Sequence, residues 1–195
     1  MDRISTVKRK TQETDVRITL NLDGSGKSEI DTGIPFFDHM LTLFAVHGFF
    51  DLNVKAKGDL EVDFHHTVED VGIVLGDALD RALGDRAGII RYGYAVTPMD
   101  ETLTDVAVDL SKRPFFVFHV PEVNGNESGF SSSLASEFFR SFVNHGGLNL
   151  HVNVRYGENG HHIIESVFKA AGRAIHQAVT FDSRIKGVRS SKGTL

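Results

Sequence analysis

The chain has 195 residues, of which 41% are hydrophobic and 24% charged, a composition typical of an ordinary globular protein with one domain or two closely associated halves. The formal net charge of −5 argues against nucleic-acid binding, and the absence of cysteine excludes disulfides and thiolate ligands, so a metal site would have to use imidazole and carboxylate groups. No apolar run approaches the length of a membrane span and no targeting segment is recognised, so we expect no membrane partner and a cytoplasmic location.

Apolar periodicity predicts alternating strands and helices in the first part of the chain. Every second residue over 16–22 is apolar, which predicts a half-buried strand, and segment 23–26 then predicts a hairpin turn with a return strand at 27–31. Apolar residues at helical spacing over 37–44 predict an amphipathic helix that ends at Gly48. Further strands are expected at 50–56 and 60–64, and a second helix at 66–83.

Two short motifs resemble each other, because each is a His-His pair with a glutamate three residues after the second histidine. A residue and the fourth one after it lie on the same face of a helix, whereas the next residue points about 100° away. We therefore expect each motif to supply two neighbouring metal ions rather than one, and two copies favour this interpretation over solvated His-His pairs. The motifs comprise His65, His66 and Glu69, and His161, His162 and Glu165.

The second part of the chain repeats the plan of the first. Segments 105–110, 136–146 and 148–154 match 15–20, 38–48 and 50–56 at offsets of 90 and 98 residues, and the two motifs are 96 residues apart. Offsets that change only in loops are typical of an internal duplication. The sequence therefore predicts an α+β fold in which a unit of a mostly antiparallel four-stranded sheet and two helices occurs twice, with the halves packed through a central helical bundle. The expected parts are residues 1–90, residues 91–183 and a basic C-terminal tail at 184–195.

Together with these motifs, the sequence closely resembles the imidazoleglycerol-phosphate dehydratases over almost its whole length. The resemblance also rests on segments 8–14, 33–41, 110–114, 156–159 and 190–193. It implies a carbon–oxygen lyase that removes water from imidazoleglycerol phosphate to give imidazole acetol phosphate in histidine biosynthesis. It further implies two Mn²⁺ ions per active site and a homo-oligomer of 24 chains, with sites shared between chains.

The resemblance also implies a ligand set for each ion. One ion is expected to bind His39, His66, His161 and Glu165, and the other His65, Glu69, Glu137 and His162. In the internal repeat, His39 and Glu137 are equivalent positions on the first helix of each half. Many relatives have histidine where this chain has Glu137. A carboxylate is a competent Mn²⁺ ligand, and the alternative is an ordinary helix acid.

The family implies roles in the chemistry for Glu13, His39, His66 and Glu165. The proton that leaves the carbon beside the imidazole ring is not acidic, and metal binding to the ring is expected to favour the imidazolate form, which helps to expel hydroxide. Glu13 is the family's candidate for the proton shuttle that the rearrangement to a ketone needs. From the sequence alone, Glu13 resembles a solvated strand acid. His47 is expected either to approach the substrate or to stabilise the helix C-terminus.

The substrate phosphate requires cations, and the family pattern points to Arg91, Arg113, Lys169 and the tail residues Ser190, Ser191 and Lys192. Each has a structural alternative: a salt bridge to Glu165 for Lys169, the edge of the core for Arg91, and a solvated tail. The other residues expected to contact substrate are Glu13, His39, His47, His65, His66, Glu69 and His161.

Two other functions use the same features. A dinuclear metal hydrolase acting on a phosphorylated small molecule would need the same ligands, and a non-catalytic metal-binding shell would need only self-association. His145 is expected to be structural, and no role is assigned to His119, His151 or His176.

Overall fold

The computed structural model describes residues 3–123 and 129–195. In these residues, eight strands and four helices form two units with the same order of elements. The first unit contains β1 (Ile4–Lys10), β2 (Thr14–Asn21), β3 (Ser28–Asp31), α1 (Pro35–Gly48), β4 (Asp51–Gly58) and α2 (His65–Leu83). The second contains β5 (Tyr92–Met99), β6 (Thr102–Asp109), β7 (Phe115–His119), α3 (Ser132–Gly146), β8 (Asn149–Tyr156) and α4 (Gly160–Val179). None of the helices in the described residues is long and apolar enough to cross a membrane.

Each unit forms one four-stranded sheet, with strand order β1-β2-β4-β3 in the first and β5-β6-β8-β7 in the second. Two of the three pairings in each sheet are antiparallel, whereas the edge strand, β3 or β7, runs parallel to its neighbour. The strands alternate in burial because helices cover only one face of each sheet; on β2, Val16, Ile18 and Leu20 are buried. The predicted α+β fold with a duplicated, mostly antiparallel sheet is confirmed.

Each helix packs on a helix of the other unit. α1 of the first unit packs on α4 of the second, and α2 packs on α3, so each helix pair takes one helix from each unit. A Cβ added to Gly172 of α4 would lie 2.4 Å from the carbonyl oxygen of Phe44, and one added to Gly76 of α2 would lie 2.7 Å from that of Phe142. These four residues are equivalent positions in the repeat, so both helix pairs have the same close approach of backbones.

An aromatic core joins the two helix pairs. Phe37 of α1 and Phe168 of α4 both pack against Phe138 of α3, with ring centroids 5.3 and 5.4 Å away. Further along, Phe44 of α1 meets Phe142 of α3 at 6.2 Å. The order of these contacts shows that α1 and α3 run in the same direction. Such rings bury a large apolar area and stabilise the bundle.

Two expectations about the strands are wrong. β3 does not return as the hairpin partner of β2 but pairs in parallel with β4. The carboxylate of Asp51 accepts hydrogen bonds from the backbone N–H groups of Ser25 (2.8 Å) and Lys27 (3.0 Å), which directs the chain across to the far edge of the sheet. Segment 60–64 is no strand: residues 60–62 form a turn, and Val62 is 66% exposed. Its apolar alternation therefore does not mark a buried sheet face.

Candidate metal centre

All eight expected metal ligands lie within the first two turns of a helix. The ring of Phe36 at the start of α1 lies 5.2 Å from that of His161 on α4 and 5.4 Å from that of Phe130, which precedes α3. Phe64, directly before α2, lies beside Gly129. The bundle therefore gathers the four helix starts at one end. The unpaired N–H groups at such ends favour negatively charged side chains.

Local sequence fixes where two of these helices begin. α1 begins with Pro35, which suits a first helical turn because that turn needs no N–H donor. α4 is capped by Asn159, whose side-chain oxygen accepts the N–H groups of His161 (2.9 Å) and His162 (3.4 Å). The two histidines of the second motif are thus held in the opening turn of α4.

Three of the expected ligands converge. The carboxylate oxygen Oε2 of Glu165 lies 3.0 Å from Nε2 of His161 and 3.6 Å from Nε2 of His39. One donor atom from each residue lies within 4.8 Å of the other two. The glutamate side chain is only 8% exposed, whereas the two imidazoles are almost half exposed. The cluster is therefore a buried carboxylate below two imidazoles that face outward.

The charge balance of this cluster keeps the carboxylate anionic. Burial acts to raise the pKa of Glu165, but hydrogen bonds from Lys169 and His161 outweigh it, and the pKa is lowered. The ammonium group of Lys169 lies 2.5 Å from the other carboxylate oxygen, so the expected salt bridge is present. Two imidazole nitrogens and one carboxylate oxygen at these separations suit a divalent ion such as Mn²⁺, Fe²⁺ or Zn²⁺. The residues present therefore fit a metal.

The second expected set is less convergent. Nε2 of His65 lies 3.9 Å from Oε2 of Glu69, its partner one turn later on α2. Glu137 belongs to α3, which packs on α2, and its carboxylate lies 3.7 Å from the guanidinium of Arg140. Within residues 3–123 and 129–195, the only group of three or more side chains whose donor atoms lie close enough for one ion is His39, His161 and Glu165.

The remaining two histidines face carboxylates of their own units. Nδ1 of His66 lies 3.0 Å from Asp59 and 3.9 Å from Glu13, and Nδ1 of His162 lies 2.7 Å from Glu101. These contacts raise the pKa of both imidazoles, through Asp59 and Glu101 respectively. In each expected set, three ligands lie on one helix pair and the fourth, His66 or His162, lies on the other pair. The structure does not bring His66 or His162 to the three ligands of its set.

Sequence analysis missed Asp59 and Glu101. Glu101 lies in the turn between β5 and β6, and the equivalent turn of the first unit, between β1 and β2, carries Glu13. The pKa of Glu101 is strongly lowered, first by the backbone N–H of Asn159 and then by His162. The repeat itself was the available signal, because it places a glutamate near the second histidine of each motif.

The turn that carries Glu13 is fixed to the start of α2. The hydroxyl of Thr11 accepts the N–H of Glu13 at 3.1 Å, and the hydroxyl of Thr14 donates to the buried carboxylate of Asp70. Nε of Arg9 donates to the same carboxylate at 2.9 Å. The carboxylate of Glu13 itself remains 55% exposed. It therefore occupies a defined place near His66 while staying accessible.

His47 lies in the last turn of α1, away from the helix starts. Burial and the charges of Lys169 and Arg173 lower its pKa. A neutral imidazole gains less from the helix dipole than a charged one. The charge of Glu165, a member of the His39 cluster, acts in the opposite direction on this pKa. Neither of the two expected roles of His47 is decided.

Of the expected phosphate ligands, Lys169 lies at the cluster through its ion pair with Glu165. Arg91 is buried, with Nε and Nη2 on Asp109 (2.6 and 2.9 Å) and Nη1 on the carbonyl of Arg189 (2.7 Å). Arg113 is exposed. In the tail, the N–H of Lys192 donates to the hydroxyl of Ser190 at 3.2 Å, and Ser191 is exposed. Arg91 therefore holds the segment that leads to the serines.

Comparisons with known proteins agree with one another. A family model described as imidazoleglycerol-phosphate dehydratase matches residues 32–175. The chain is 60% identical to the imidazoleglycerol-phosphate dehydratase of Desulfosudis oleivorans over the full length of both, and 58% identical to that of Syntrophobacter fumaroxidans over 99% of this chain and 98% of the relative. The solved structure of the Staphylococcus aureus enzyme matches with a TM-score of 0.83 and 38% identity, covering 92% of this chain and 99% of its own. That of the Pyrococcus furiosus protein matches with a TM-score of 0.83 and 37% identity, covering 97% and 100%.

Proposed function

The chain belongs to the imidazoleglycerol-phosphate dehydratase family, and from this premise we propose that it converts imidazoleglycerol phosphate to imidazole acetol phosphate and water in histidine biosynthesis, with a dinuclear Mn²⁺ site. The observation that carries the proposal is the cluster of His39, His161 and Glu165, because it provides an anionic, preorganised donor set open to solvent. A divalent ion bound there would supply Lewis-acid polarisation of the substrate's imidazole ring and a template that orients it.

Proton transfer is assigned to Glu13. The reaction breaks one C–H bond and one C–O bond, the hydroxyl leaves as water after taking up a proton, and the resulting enol becomes a ketone when a carbon is protonated. A carboxylate that first accepts and later returns a proton serves these steps. Glu13 suits this role because its carboxylate is 55% exposed on a fixed turn, 3.9 Å from His66.

The substrate phosphate is assigned to the exposed cations and hydroxyls. Arg113 can offer two parallel hydrogen bonds, and Ser190, Ser191 and Lys192 can add hydroxyl and ammonium donors. Lys169 would balance the charge of Glu165 while it lies beside the substrate. Arg91 would act through its hold on the carbonyl of Arg189, which positions the segment before these serines.

We also propose that sites are completed between copies of the chain, in a 24-chain assembly of the kind the family resemblance implies. The support is the division of the ligand sets: the His39 cluster lacks its fourth ligand, and His66 stands beside Asp59 at the start of α2 instead. In the same way, His162 stands apart from His65 and Glu69. A second copy that presents its α2–α3 end to the α1–α4 end of the first would complete both sets.

The test is a product analysis with manganese-loaded protein and imidazoleglycerol phosphate. A ketone product that keeps its phosphate supports the dehydratase. Release of inorganic phosphate would instead support the dinuclear hydrolase, and absence of turnover would support a metal-binding shell. His161→Ala serves as the control, since it removes one arm of the cluster that carries the proposal and is expected to abolish the ketone product.

A further inference from the structure

Glu101 connects two parts of the second unit through its carboxylate. Its Oε1 atom accepts the backbone N–H groups of Asn159 (2.9 Å) and Glu158 (3.2 Å) and the hydroxyl of Thr102 (3.0 Å). Its Oε2 atom lies 2.7 Å from Nδ1 of His162. One side chain from the β5–β6 turn thus fixes both the loop that leads into α4 and the ring of an expected metal ligand.

We propose that Glu101 is a positioning residue for metal binding by His162. A carboxylate can only accept, so Nδ1 must carry the hydrogen of this contact, and Nε2 of the neutral ring then keeps the lone pair that a metal ion requires. Carboxylates that hold the far nitrogen of a ligating histidine in this way fix the ring and its tautomer. The inference rests on the proposed dinuclear site and assigns to it a residue outside the ligand set.

The orientation of the Glu101 carboxylate is fixed by its partners. Both backbone N–H groups and the threonine hydroxyl meet Oε1, so this position must be an acceptor. On the other side of the ring, the exposed carboxylate of Asp100 lies 3.8 Å from Nε2 of His162. The ring is therefore held from its Nδ1 side, and Nε2 lies on the side of the exposed, negatively charged Asp100.

The first unit offers a matched contact with a different constraint. Both carboxylate oxygens of Asp59 lie near Nδ1 of His66, at 3.2 and 3.0 Å. Within the described residues, no backbone N–H donates to that carboxylate, so it can turn about its own axis. The two histidines are thus held alike at Nδ1, but only Glu101 is locked by a second set of donors.

The test is Glu101→Gln, which keeps the size of the side chain. Because N–H donors must still meet an oxygen, the carbonyl of the amide will face Asn159 and its NH₂ group will face Nδ1 of His162. The ring must then accept at Nδ1 and carry its hydrogen on Nε2, where it blocks metal binding. We expect the dissociation constant of one of the two Mn²⁺ ions to rise about 10–100-fold, measured from the electron paramagnetic resonance signal of unbound Mn²⁺ during titration. The other ion should bind as in wild type.

Three control variants distinguish an effect of the His162 tautomer on metal binding from effects of charge and of folding. Asp59→Asn should weaken binding less than Glu101→Gln, because its amide can turn its oxygen toward His66. Glu158→Ala removes one negative charge from the same loop and should leave both ions bound as before. Glu101→Ala should fall between wild type and Glu101→Gln, since it releases the ring without reversing it. The thermal unfolding midpoint of metal-free Glu101→Gln should match that of wild type.

The outcomes are distinct. Equal Mn²⁺ affinity in wild type and Glu101→Gln, or an equal loss in Glu158→Ala, overturns the role of Glu101 while the proposed function stands. If Glu101→Gln fails to fold, Glu101→Ala decides by the same criterion. Wild-type protein that binds no Mn²⁺ overturns the metal site and this role with it.

Discussion

Glu165 and Glu69 are equivalent residues of the repeat that differ sharply in environment. The Glu165 side chain is 8% exposed and pairs with Lys169, whereas the Glu69 side chain is 42% exposed and lies 3.9 Å from His65. A buried ion pair that loses one partner leaves an uncompensated charge, but an exposed pair is screened by water. Two glutamates that serve equivalent motifs therefore differ in what they contribute to folding.

The first prediction follows from this difference. In metal-free protein, Glu165→Ala should lower the free energy of unfolding by about 3 kcal/mol because Lys169 is left partly buried and unpaired. Glu69→Ala should cost less than about 1 kcal/mol. Urea unfolding of both variants measures the two values. Equal losses would show that the buried pair makes no special contribution.

The second prediction concerns Glu137. If it is a ligand, Glu137→Ala should lose about one metal equivalent per chain by elemental analysis, because a carboxylate is removed from a four-ligand set. Its contact with Arg140 is typical of an ordinary helix acid, and under that alternative the variant keeps both equivalents. Glu137→His, which restores the residue type expected from the family, should retain both ions in either case.

At the scale of elements, glycines on both helices lie at the packing of α2 on α3. A Cβ on Gly76 would meet backbone atoms of Phe142 and Gly146 at 2.7 and 2.8 Å, and a Cβ on Gly146 would meet the tip of Leu148 at 2.7 Å. Backbone atoms of a packed helix cannot move aside separately, whereas a side-chain tip can rotate. The approach of α2 to α3 is therefore limited at Gly76 more than at Gly146.

The third prediction is that Gly76→Ala destabilises the protein by roughly 1–3 kcal/mol through overpacking, despite the better helix propensity of alanine. Gly146→Ala should cost less because the side chain of Leu148 can yield. Thermal or urea unfolding compares the two variants. A Gly76→Ala protein as stable as wild type would mean that the helices can separate without loss.

Sequence patterns were enough for the helices but not for every strand. The 3.6-residue apolar period predicted α1 and α2, each of which buries one face against the bundle, and the internal repeat predicted two helices in the second unit. β1 has a single buried residue, Val7, and β7 is an edge strand without alternation, so neither gave a signal. The parallel pairing of β3 depends on contacts of Asp51 that lie 24–26 residues away along the chain. Long-range contacts of this kind, including that of Glu101 with His162, have no local sequence pattern.

At the scale of the whole molecule, Arg3 joins the first unit to the end of the last helix. Its guanidinium pairs with Asp23, with Nε 2.8 Å from Oδ2, and donates to the carbonyl of Val179 at the end of α4. It also lies over the ring of Phe181, 4.3 Å from the centroid. The first strand, a turn of the first unit and the last helix are therefore held by one side chain.

The fourth prediction concerns pH. The hydrogen bond from Arg3 lowers the pKa of Asp23 below its usual value of 3.8, against the opposing effect of burial. The unfolded state then binds a proton at higher pH than the folded state, so this stabilisation is complete above pH 3.8 and is lost as pH falls through the lower, folded pKa. Arg3→Ala should cost about 2 kcal/mol near neutral pH, and the difference from wild type should shrink below pH 3.8. Urea unfolding across this range tests it, with Lys10→Ala as an exposed ion-pair control that should show little effect.

The fifth prediction tests shared sites. His66→Ala and His161→Ala should each be inactive alone, because each removes a ligand from every site. Co-expressed in equal amounts, they should recover about a quarter of wild-type activity. In random assembly, half of the sites receive an intact α1–α4 end from the His66→Ala chain, and half of these also receive an intact α2–α3 end from the His161→Ala chain. His39→Ala with His161→Ala should recover none, as both alter the same end. No recovery in the first mixture would place each site within one chain.

The exchange of helices between the units has a consequence for the origin of the chain. A half-length polypeptide with only β1–β4, α1 and α2 would leave both helices without their partners, so it would have to associate with an identical copy to bury them. In that symmetric dimer the α1–α4 and α2–α3 contacts would be one contact, used twice. Fusing the two copies end to end preserves the geometry, but each residue can then change independently of the residue at the equivalent position in the other half. An imidazole at His39 but a carboxylate at the equivalent Glu137, and a buried Glu165 but a largely exposed Glu69, are differences that only a fused chain can acquire.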